Sequence, residues 1–307
     1  MLNEKMVKVL KIRAKVFDAA RCWFNLNKYL EVHGPMIIPA VGNWPCSFEI
    51  KYFDKKAYLS QGLQPYAAAF VARLGKIYTI APTFRAEKPS DQRHLTEYWR
   101  IEASQRCTFD SIIQFEEELV SHICRSLSKE SEELLGYFNR SPQDLMKVQP
   151  LFPRLTYDEV IGMLQQEGFN VSWGQKIDWK LEKHISHKFN QPFFIMKFPI
   201  NVETLFLKSD FRNPELTLSN DLIAPEGYGE IGSCAQMIDT KDVLIRKMKE
   251  EGIEPSDQQW HMALMKYGFV PHSGFAIGIE RLIQWICKLP SIKQASAFPR
   301  TFDSIYP

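Results

Sequence analysis

The sequence lacks a surplus of either charge. Its 307 residues include 38 Lys+Arg and 36 Asp+Glu, which leaves a formal net charge of +2. This balance argues against a protein that coats nucleic acid through an overall basic surface, although a local basic patch stays compatible with it. There is also no block of like charges that would indicate a disordered interaction tail.

Long apolar runs and paired cysteines are missing as well. No segment approaches the ~18 consecutive apolar residues of a membrane-spanning helix. Residues 1–15 alternate apolar residues with lysines and do not form the apolar centre of a signal peptide. The six cysteines are scattered, with no C-x-x-C pair. Reduced thiols, a cytoplasmic location and no membrane partner are therefore expected.

Two common nucleotide-binding signatures are absent. No G-x-G-x-x-G follows a first strand, and the P-loop pattern fails because Gly75-Lys76 is followed by Ile77. If the chain binds ATP, it must hold the nucleotide by another arrangement.

Hydrophobic periodicity predicts an α+β fold. Apolar residues at three- and four-residue steps predict long amphipathic helices near both ends of the chain, and β-branched or aromatic runs predict strands. The predicted helices cover 6–29, 63–74, 111–127, 241–251, 255–266 and 279–289. The predicted strands cover 48–53, 76–85, 95–102, 192–198, 204–208, 216–231 and 273–278, and a turn at 225–229 folds the segment 216–231 back on itself. Hairpins without strict strand–helix alternation favour an antiparallel sheet with helices around it.

The connections predict a single domain over residues 1–307. A polar stretch with several prolines begins at residue 128, and two helical patterns follow it around a Trp173-Gly174 break. We interpret these residues as a small helical insertion at about 128–190. No internal repeat divides the chain further.

A cluster of charged and aromatic residues lies on the predicted hairpin around residue 90. Side chains alternate along a strand, so Arg85 shares a face with Glu87. On the returning strand Tyr98, Arg100 and Glu102 share a face for the same reason.

Such a cluster suits a nucleotide. Arg85 can clamp a phosphate with its planar fork, and Tyr98 can stack on a base. The loop cations Arg93 and His94 can reach distal phosphates. A solvated hairpin with surface ion pairs, each worth only ~0–1 kcal/mol, explains the same pattern. The residues alone leave both interpretations open.

Two more pairs suggest a phosphate and metal site. Gly278 lets backbone approach a ligand, and Arg281 follows in the first turn of a helix, where the dipole favours phosphate. Tight strand–helix packing is the alternative for that pair. Asp221 and Glu230 flank a Gly/Pro turn and could join Mg²⁺ to phosphate oxygens. Two separate surface acids are the alternative here.

Taken in order, these motifs resemble the catalytic domain of the class II aminoacyl-tRNA synthetases. Residues 30–35, ending in Pro35, are similar to the first motif of that class, and 278–281 to the third. Residues 84–87 with 93–98 are similar to the second. Further matches are most similar to asparaginyl-tRNA synthetases and lie at 82–87, 93–97, 221–225, 229–231, 270–275 and 298–300.

The resemblance implies a fold, a partner and a reaction. The fold would be a six- to seven-stranded antiparallel sheet flanked by helices, in a homodimer formed through the first helix and the Pro35 segment. ATP and Mg²⁺ would be the cofactors. A carboxylic acid and ATP would form an acyl-adenylate and pyrophosphate, and the acyl group would then pass to a nucleophile.

The resemblance also implies residue roles. Arg85 and Arg281 would be the catalytic residues: Arg85 would hold the α-phosphate and the substrate carboxylate, and Arg281 would enclose the adenine together with Tyr98. The other ATP-binding residues would be Glu87, Arg93 and His94. Asp221 and Glu230 would hold Mg²⁺. The residues implied for the amino acid are Gln64, Glu230, Ser233, Met237 and Gly274.

The chain departs from the family pattern in the predicted amino-acid pocket. Met237 stands where the resemblance leads us to expect an arginine, and Ala263 and Met265 replace an expected aspartate and arginine. An unsatisfied polar group of an unchanged substrate would be costly, so a changed substrate is the simpler account. We also expect no anticodon-binding domain, because too few residues precede the first-motif helix for a β-barrel.

Three functions follow from this combination. The leading hypothesis is an ATP-dependent ligase that adenylates an amino acid or related carboxylate and transfers it to ammonia or a small amine without tRNA. The second is an asparagine/aspartate-type tRNA ligase that acts on the acceptor end of tRNA, which the near-zero net charge does not favour. The third is a non-catalytic regulatory paralogue, against which the survival of Arg85, Asp221 and Arg281 argues.

Overall fold

The computed structural model describes residues 2–39, 46–88, 93–250, 252–253, 262–263 and 270–306. The helices in this part of the chain are α1 (Glu4–Leu26), α2 (Gln64–Leu74), α3 (Phe109–Glu130), α4 (Glu132–Tyr137), α5 (Pro142–Met146), α6 (Tyr157–Gln166), α7 (Trp179–Ser186), α8 (Lys241–Glu250) and α9 (Ile279–Ile286). The strands are β1 (Leu30–Glu31), β2 (Ile37–Ile38), β3 (Glu49–Tyr52), β4 (Lys55–Leu59), β5 (Lys76–Phe84), β6 (Glu97–Gln105), β7 (Arg154–Thr156), β8 (Phe193–Met196), β9 (Ser219–Ala224), β10 (Gly229–Gln236) and β11 (Ser273–Gly278).

One large sheet organises the fold. Its eight strands run in the order β1-β5-β6-β11-β10-β9-β8-β7, and a small separate sheet has the order β2-β4-β3. The α+β prediction is confirmed, with two differences in detail: the sheet has eight strands, and β1 and β7 pair parallel at its edges. β7 is parallel to β8 because α6 and α7 lie between them, and such a crossover returns the chain in the same direction.

The core on one face of the sheet is built around α1. Asn3 caps this helix, since its side chain accepts a 2.9 Å hydrogen bond from the Met6 N–H. The apolar side of α1, which includes Val9, Ile12 and Phe24, packs with α3 and α9 against the sheet. The helix ends earlier than predicted, near the left-handed φ of 62° at Lys28.

The helices α6 and α7 cover the opposite face. Along β8 the side chains alternate: Phe194 joins the core of α1 and α3, whereas Phe193 and Ile195 pack with α6 and α7. Thr156 and Glu159 form a capping box at the start of α6. The helices α6 and α7 therefore shield one side of the face that carries the candidate site, whereas α4 and α5 of the predicted insertion pack with α3 on the other face.

Two predicted elements need comment. The predicted strand at 204–208 is wrong: only one isolated bridge, Leu207 to Met237, forms there. Its apolar residues do not alternate but are buried together against Leu244 and Met248 of α8, so a continuous apolar run looked like a strand. Most of the predicted helix at 255–266 lies outside the described residues.

All six cysteines are free thiols. In the part of the chain that the structure describes, no helix combines the length and the apolar character that a membrane crossing requires.

Candidate active site

The β5–β6 hairpin positions the first arginine. Thr83 lies opposite Tyr98 in the register of the two strands, and just beyond β5 the Arg85 N–H donates a 2.9 Å hydrogen bond to the carbonyl of Thr96. The Arg85 guanidinium lies 3.2 Å from Glu87 Oε1. Its Nε atom is buried and has no hydrogen-bond partner among the described residues, so it can still donate to a ligand.

The β11–α9 junction positions the second arginine. Gly278 is the N-cap of α9, and Arg281 follows in its first turn. Arg281 Nη1 lies 2.7 Å from Glu230 Oε2 and also donates a 3.3 Å hydrogen bond to the Glu230 carbonyl. The third predicted motif therefore meets the strand β10 that carries Glu230.

A third arginine, Arg93, connects helix α7 to strand β10. Arg93 Nη1 lies 2.8 Å from Glu182 Oε2 of α7, and Arg93 Nη2 donates a 2.9 Å hydrogen bond to the Glu230 carbonyl. The same Glu182 oxygen accepts a 3.1 Å hydrogen bond from the Glu230 N–H. Sequence reasoning missed Glu182, because nothing in the local pattern of α7 distinguishes it from a surface acid.

A β-bulge brings Glu230 and Ser233 onto one face. The register of β10 with β9 shifts between Glu230 and Gly232, so that Glu230 lies opposite Ile223 and Ser233 opposite Asp221. In a regular strand without a bulge, two positions three apart would face opposite sides.

The carboxyl groups around Glu230 differ strongly in their tendency to ionise. Burial opposes ionisation of Glu230, but the charges of Arg281 and Arg93 outweigh it and lower its pKa to about 2. Burial raises the pKa of Asp221, and the charges of Glu230 and Glu203 raise it further. Burial also raises the pKa of Glu203 to about 7, although Ser219 donates a hydrogen bond to it.

These groups surround a cavity of about 280 Å³. All six predicted ATP-binding residues line it: Arg85, Glu87, Arg93, His94, Tyr98 and Arg281. Glu230 and Ser233, predicted for the amino acid, line it too. Arg100 and Lys176 also line it and had received no role. The cavity is rich in arginine, which is the side chain best suited to phosphate and carboxylate groups.

The family follows from comparison with known proteins. A family model described as tRNA synthetases class II (D, K and N) matches residues 1–302. The chain belongs to this family. It is 39% identical over 309 residues to the asparagine–tRNA ligase of Thermococcus kodakarensis, a match that covers 99% of this chain and 72% of that protein. A relative of the same name from Pelotomaculum thermopropionicum is 36% identical over 301 residues, which cover 70% of it.

Solved structures of synthetases agree with this assignment. The crystal structure of asparaginyl-tRNA synthetase from Pyrococcus horikoshii complexed with asparaginyl-adenylate matches with a TM-score of 0.95 and 38% identity, over 99% of this chain and 71% of that one. The Entamoeba histolytica enzyme in complex with asparaginyl-adenylate matches with a TM-score of 0.90 and 27% identity, over 99% and 69%. As a member of this synthetase family, the chain is a ligase that forms an acyl-adenylate.

The comparisons support the three functional hypotheses from the sequence to different degrees. The relatives named here are tRNA ligases, so they favour tRNA as the acceptor and give no support to ammonia or a small amine. They likewise give no support to the argument that near-zero net charge disfavours tRNA.

The carboxyl groups of this synthetase fit a magnesium ion. Asp221 forms no ion pair or side-chain hydrogen bond among the described residues. Burial and then the charges of three neighbouring carboxyls raise its pKa, so a cation there would relieve their repulsion. The described residues include no ready-made group of three or more metal-ligating side chains. Mg²⁺ is commonly held by one or two carboxylates together with waters and phosphates. Asp221 and Glu230 could provide the carboxylates.

Four predicted residues of the synthetase site lie outside the cavity wall. Asp221 is the neighbour of Ser233 across the β9–β10 pair, and Gln64 begins α2. A Cβ on Gly274 would lie 2.5 Å from Ser104 Oγ and 2.8 Å from the Ala103 carbonyl, so close strand packing explains that glycine. Met237 is 9% exposed and packs in the apolar cluster beside α8. Ala263 is exposed, and Met265 lies outside the described residues. The individual roles remain predictions.

Proposed function

We propose that this chain adenylates an amino acid of the asparagine/aspartate type with ATP and passes the aminoacyl group to the acceptor end of a tRNA. The observation that carries the proposal is the cavity itself: the three arginines 85, 93 and 281, supplied by separate parts of the chain, meet around Glu230. Membership of the synthetase family supports the choice of tRNA as acceptor.

The chemistry needs positioning and charge neutralisation more than a protein nucleophile. A carboxylate oxygen of the amino acid attacks the α-phosphorus, the bond to the β-phosphate oxygen breaks, and pyrophosphate leaves. Arg85 would hold the α-phosphate and the carboxylate together, since its guanidinium can bond two oxygens at once. Its preformed contact with Glu87 orients it before the substrates bind.

Other residues would hold the nucleotide. Tyr98 and Arg281 would enclose the adenine ring, while Arg93 and His94 would meet the distal phosphates. Bound Mg²⁺, held by Asp221 and Glu230, would neutralise phosphate charge and favour the leaving of pyrophosphate. The low pKa of Glu230 keeps its carboxylate ionised for Arg281 and for the metal.

Amino-acid-dependent exchange of pyrophosphate into ATP tests adenylation, and labelled amino acid trapped on tRNA tests transfer. We expect exchange with asparagine or aspartate, and acid-stable label on tRNA only when cognate tRNA is added. Release of a free amide when ammonia replaces tRNA would instead identify a small-molecule acceptor. Absence of exchange with every amino acid tested would exclude the proposed reaction.

Arg85→Ala tests the role of the hairpin arginine. Loss of a charged contact to the reacting groups lowers exchange by at least ~100-fold, because the contact strengthens in the transition state. Arg73→Ala, at an exposed arginine of α2, is the matched control and leaves exchange unchanged. Full activity of Arg85→Ala would contradict the assigned site.

A further inference from the structure

Arg100 is a cavity residue that the proposed ATP contacts leave unused. It lies on β6 between Tyr98 and Glu102, on the face that lines the cavity. Its cross-strand neighbours are Ala81 on β5 and Gly278 on β11. Because neither neighbour has a side chain larger than a methyl group, the guanidinium has open space above the sheet.

The other cavity arginines already face carboxylates. Arg85 has Glu87 at 3.2 Å, and the corresponding distances are 2.8 Å from Arg93 to Glu182 and 2.7 Å from Arg281 to Glu230. Arg100 differs from them. It donates one 3.1 Å hydrogen bond to the backbone carbonyl of Gln61 and forms no ion pair within the described residues.

A guanidinium in this state favours an anionic ligand. It carries five N–H donors in a planar fork, and the bond to Gln61 uses one of them. A half-buried cation without a counter-ion is costly, and a carboxylate supplies both charge and paired acceptors. The Gln61 bond also fixes the side chain, so less freedom is lost when a ligand binds.

Met237 cannot supply a positive charge for a carboxylate ligand. It stands where the family resemblance leads us to expect an arginine, and its thioether side chain packs with Leu205, Leu207 and Leu244 in an apolar cluster. The charge missing from position 237 is therefore not replaced at that position. Within the described cavity wall, Arg100 is an arginine with donors still available.

We propose that Arg100 binds a second carboxylate of the substrate and so makes this chain select an amino acid with an acidic side chain over the corresponding amide. The proposal rests on the proposed function, in which Arg85 holds the first carboxylate, the one that is adenylated. Arg100 lies two residues along the strand from Tyr98 and away from the loop that carries Arg93, toward Glu102 and the segment around Gln61.

Aspartate and asparagine form the discriminating pair, since they have the same shape and differ in side-chain charge. The wild-type chain is expected to show a higher kcat/KM for aspartate than for asparagine in pyrophosphate exchange. Arg100→Met lowers the value for aspartate roughly 100-fold and changes that for asparagine less than about threefold. Arg100→Lys keeps the charge without the fork and recovers part of the aspartate activity.

Arg106→Met is the matched control. Arg106 follows β6 directly and also donates to backbone carbonyls, those of Val71 and Ala72, but lies away from the cavity wall. Its removal leaves the ratio of the two substrates unchanged. An equal loss for both substrates in Arg100→Met would overturn the proposal and show that Arg100 only holds the Gln61 segment. A wild-type preference for asparagine would overturn it as well.

Calorimetric measurement of amino-acid binding distinguishes failure of the Arg100 proposal from failure of the proposed reaction. Titration of aspartate and of asparagine into the wild-type chain, with a non-hydrolysable ATP analogue present, measures selection without chemistry. Tighter aspartate binding that Arg100→Met abolishes supports Arg100 even if no exchange occurs, in which case only the proposed reaction fails. If Arg100→Met supports exchange with the same aspartate-to-asparagine preference as wild type, the role of Arg100 is refuted and the proposed function stands.

Discussion

Glu116 of α3 is buried beneath the sheet, and both of its carboxyl oxygens lack a hydrogen-bond partner in the described part of the chain. Oε1 of Glu116 lies 3.0 Å from the point that a Cβ on Gly232 would occupy. Burial raises the pKa of Glu116 well above its usual range, and the charges of Glu117 and Glu230 add to the effect. The folded protein therefore favours the neutral acid.

The pH dependence of stability follows from this shift. A carboxyl whose folded pKa is raised contributes stability below its unfolded pKa and loses it as pH rises toward the folded value. Glu116→Gln removes that loss, so its gain in unfolding free energy over wild type grows as the pH rises above about 5, by up to about 1.4 kcal/mol per pH unit. Urea unfolding across this range measures it.

Glu118→Gln provides the control, because Glu118 is exposed on the same helix. Its difference from wild type stays flat across the pH range. A flat profile for Glu116→Gln as well would mean that Glu116 ionises normally in the folded chain.

At the scale of elements, the contact between α7 and the cavity is open to test. Glu182 is 9% exposed and binds both Arg93 and the Glu230 N–H. Glu182→Gln removes the charge of Glu182 from its contact with Arg93, and breaking a buried ion pair costs about 3 kcal/mol. We expect lower unfolding free energy and faster proteolysis around α7, measured by urea titration and limited digestion.

The control for this prediction is Glu167→Gln. Glu167, which follows α6, pairs with Lys188 and His184 at the exposed surface. Loss of this pair leaves proteolysis and stability unchanged, since surface ion pairs contribute little. Equal effects of the two variants would show that the Glu182 contact does not hold α7 in place.

The elements also show how far sequence reasoning reaches. Local periodicity predicted β5, β6, β11 and α9, and alternation along β6 placed Tyr98 and Arg100 on one face. It missed β1 and β7, which have two and three residues and are too short to show a period. It also missed Glu182, because its partner Arg93 lies 89 residues away and tertiary packing alone joins them.

At the scale of the whole molecule, a dimer is expected through α1 and the Pro35 segment. Leu26, Leu30 and Ile37 are large apolar residues exposed in this region. Two copies that cover such residues would remove apolar area from water. Light scattering after gel filtration should give twice the 35.7 kDa chain mass, and Leu30→Glu should shift the protein toward monomer.

Phe211→Glu serves as the control for dimer formation. Phe211 is also a large exposed apolar residue, but it lies in the connection between β8 and β9 and belongs neither to α1 nor to the Pro35 segment. This variant stays dimeric. A monomeric wild-type chain, or dissociation by Phe211→Glu and not by Leu30→Glu, would contradict the predicted interface.

The bulge in β10 has a consequence for how this site tolerates change in chain length. Glu230 and Ser233 lie three positions apart yet share a face, because the bulge accommodates one extra residue between Glu230 and Gly232. Deleting Ile231 would restore regular pairing with Glu230 and Ser233 two positions apart, so Glu230 would stay on the face of Arg281. Deleting both Ile231 and Gly232 would make Glu230 and Ser233 adjacent and turn one of them to the other face. A deletion scan is therefore expected to find the orientation of Glu230 tolerant of one lost residue at this position but not of two, which makes backbone length itself part of the site.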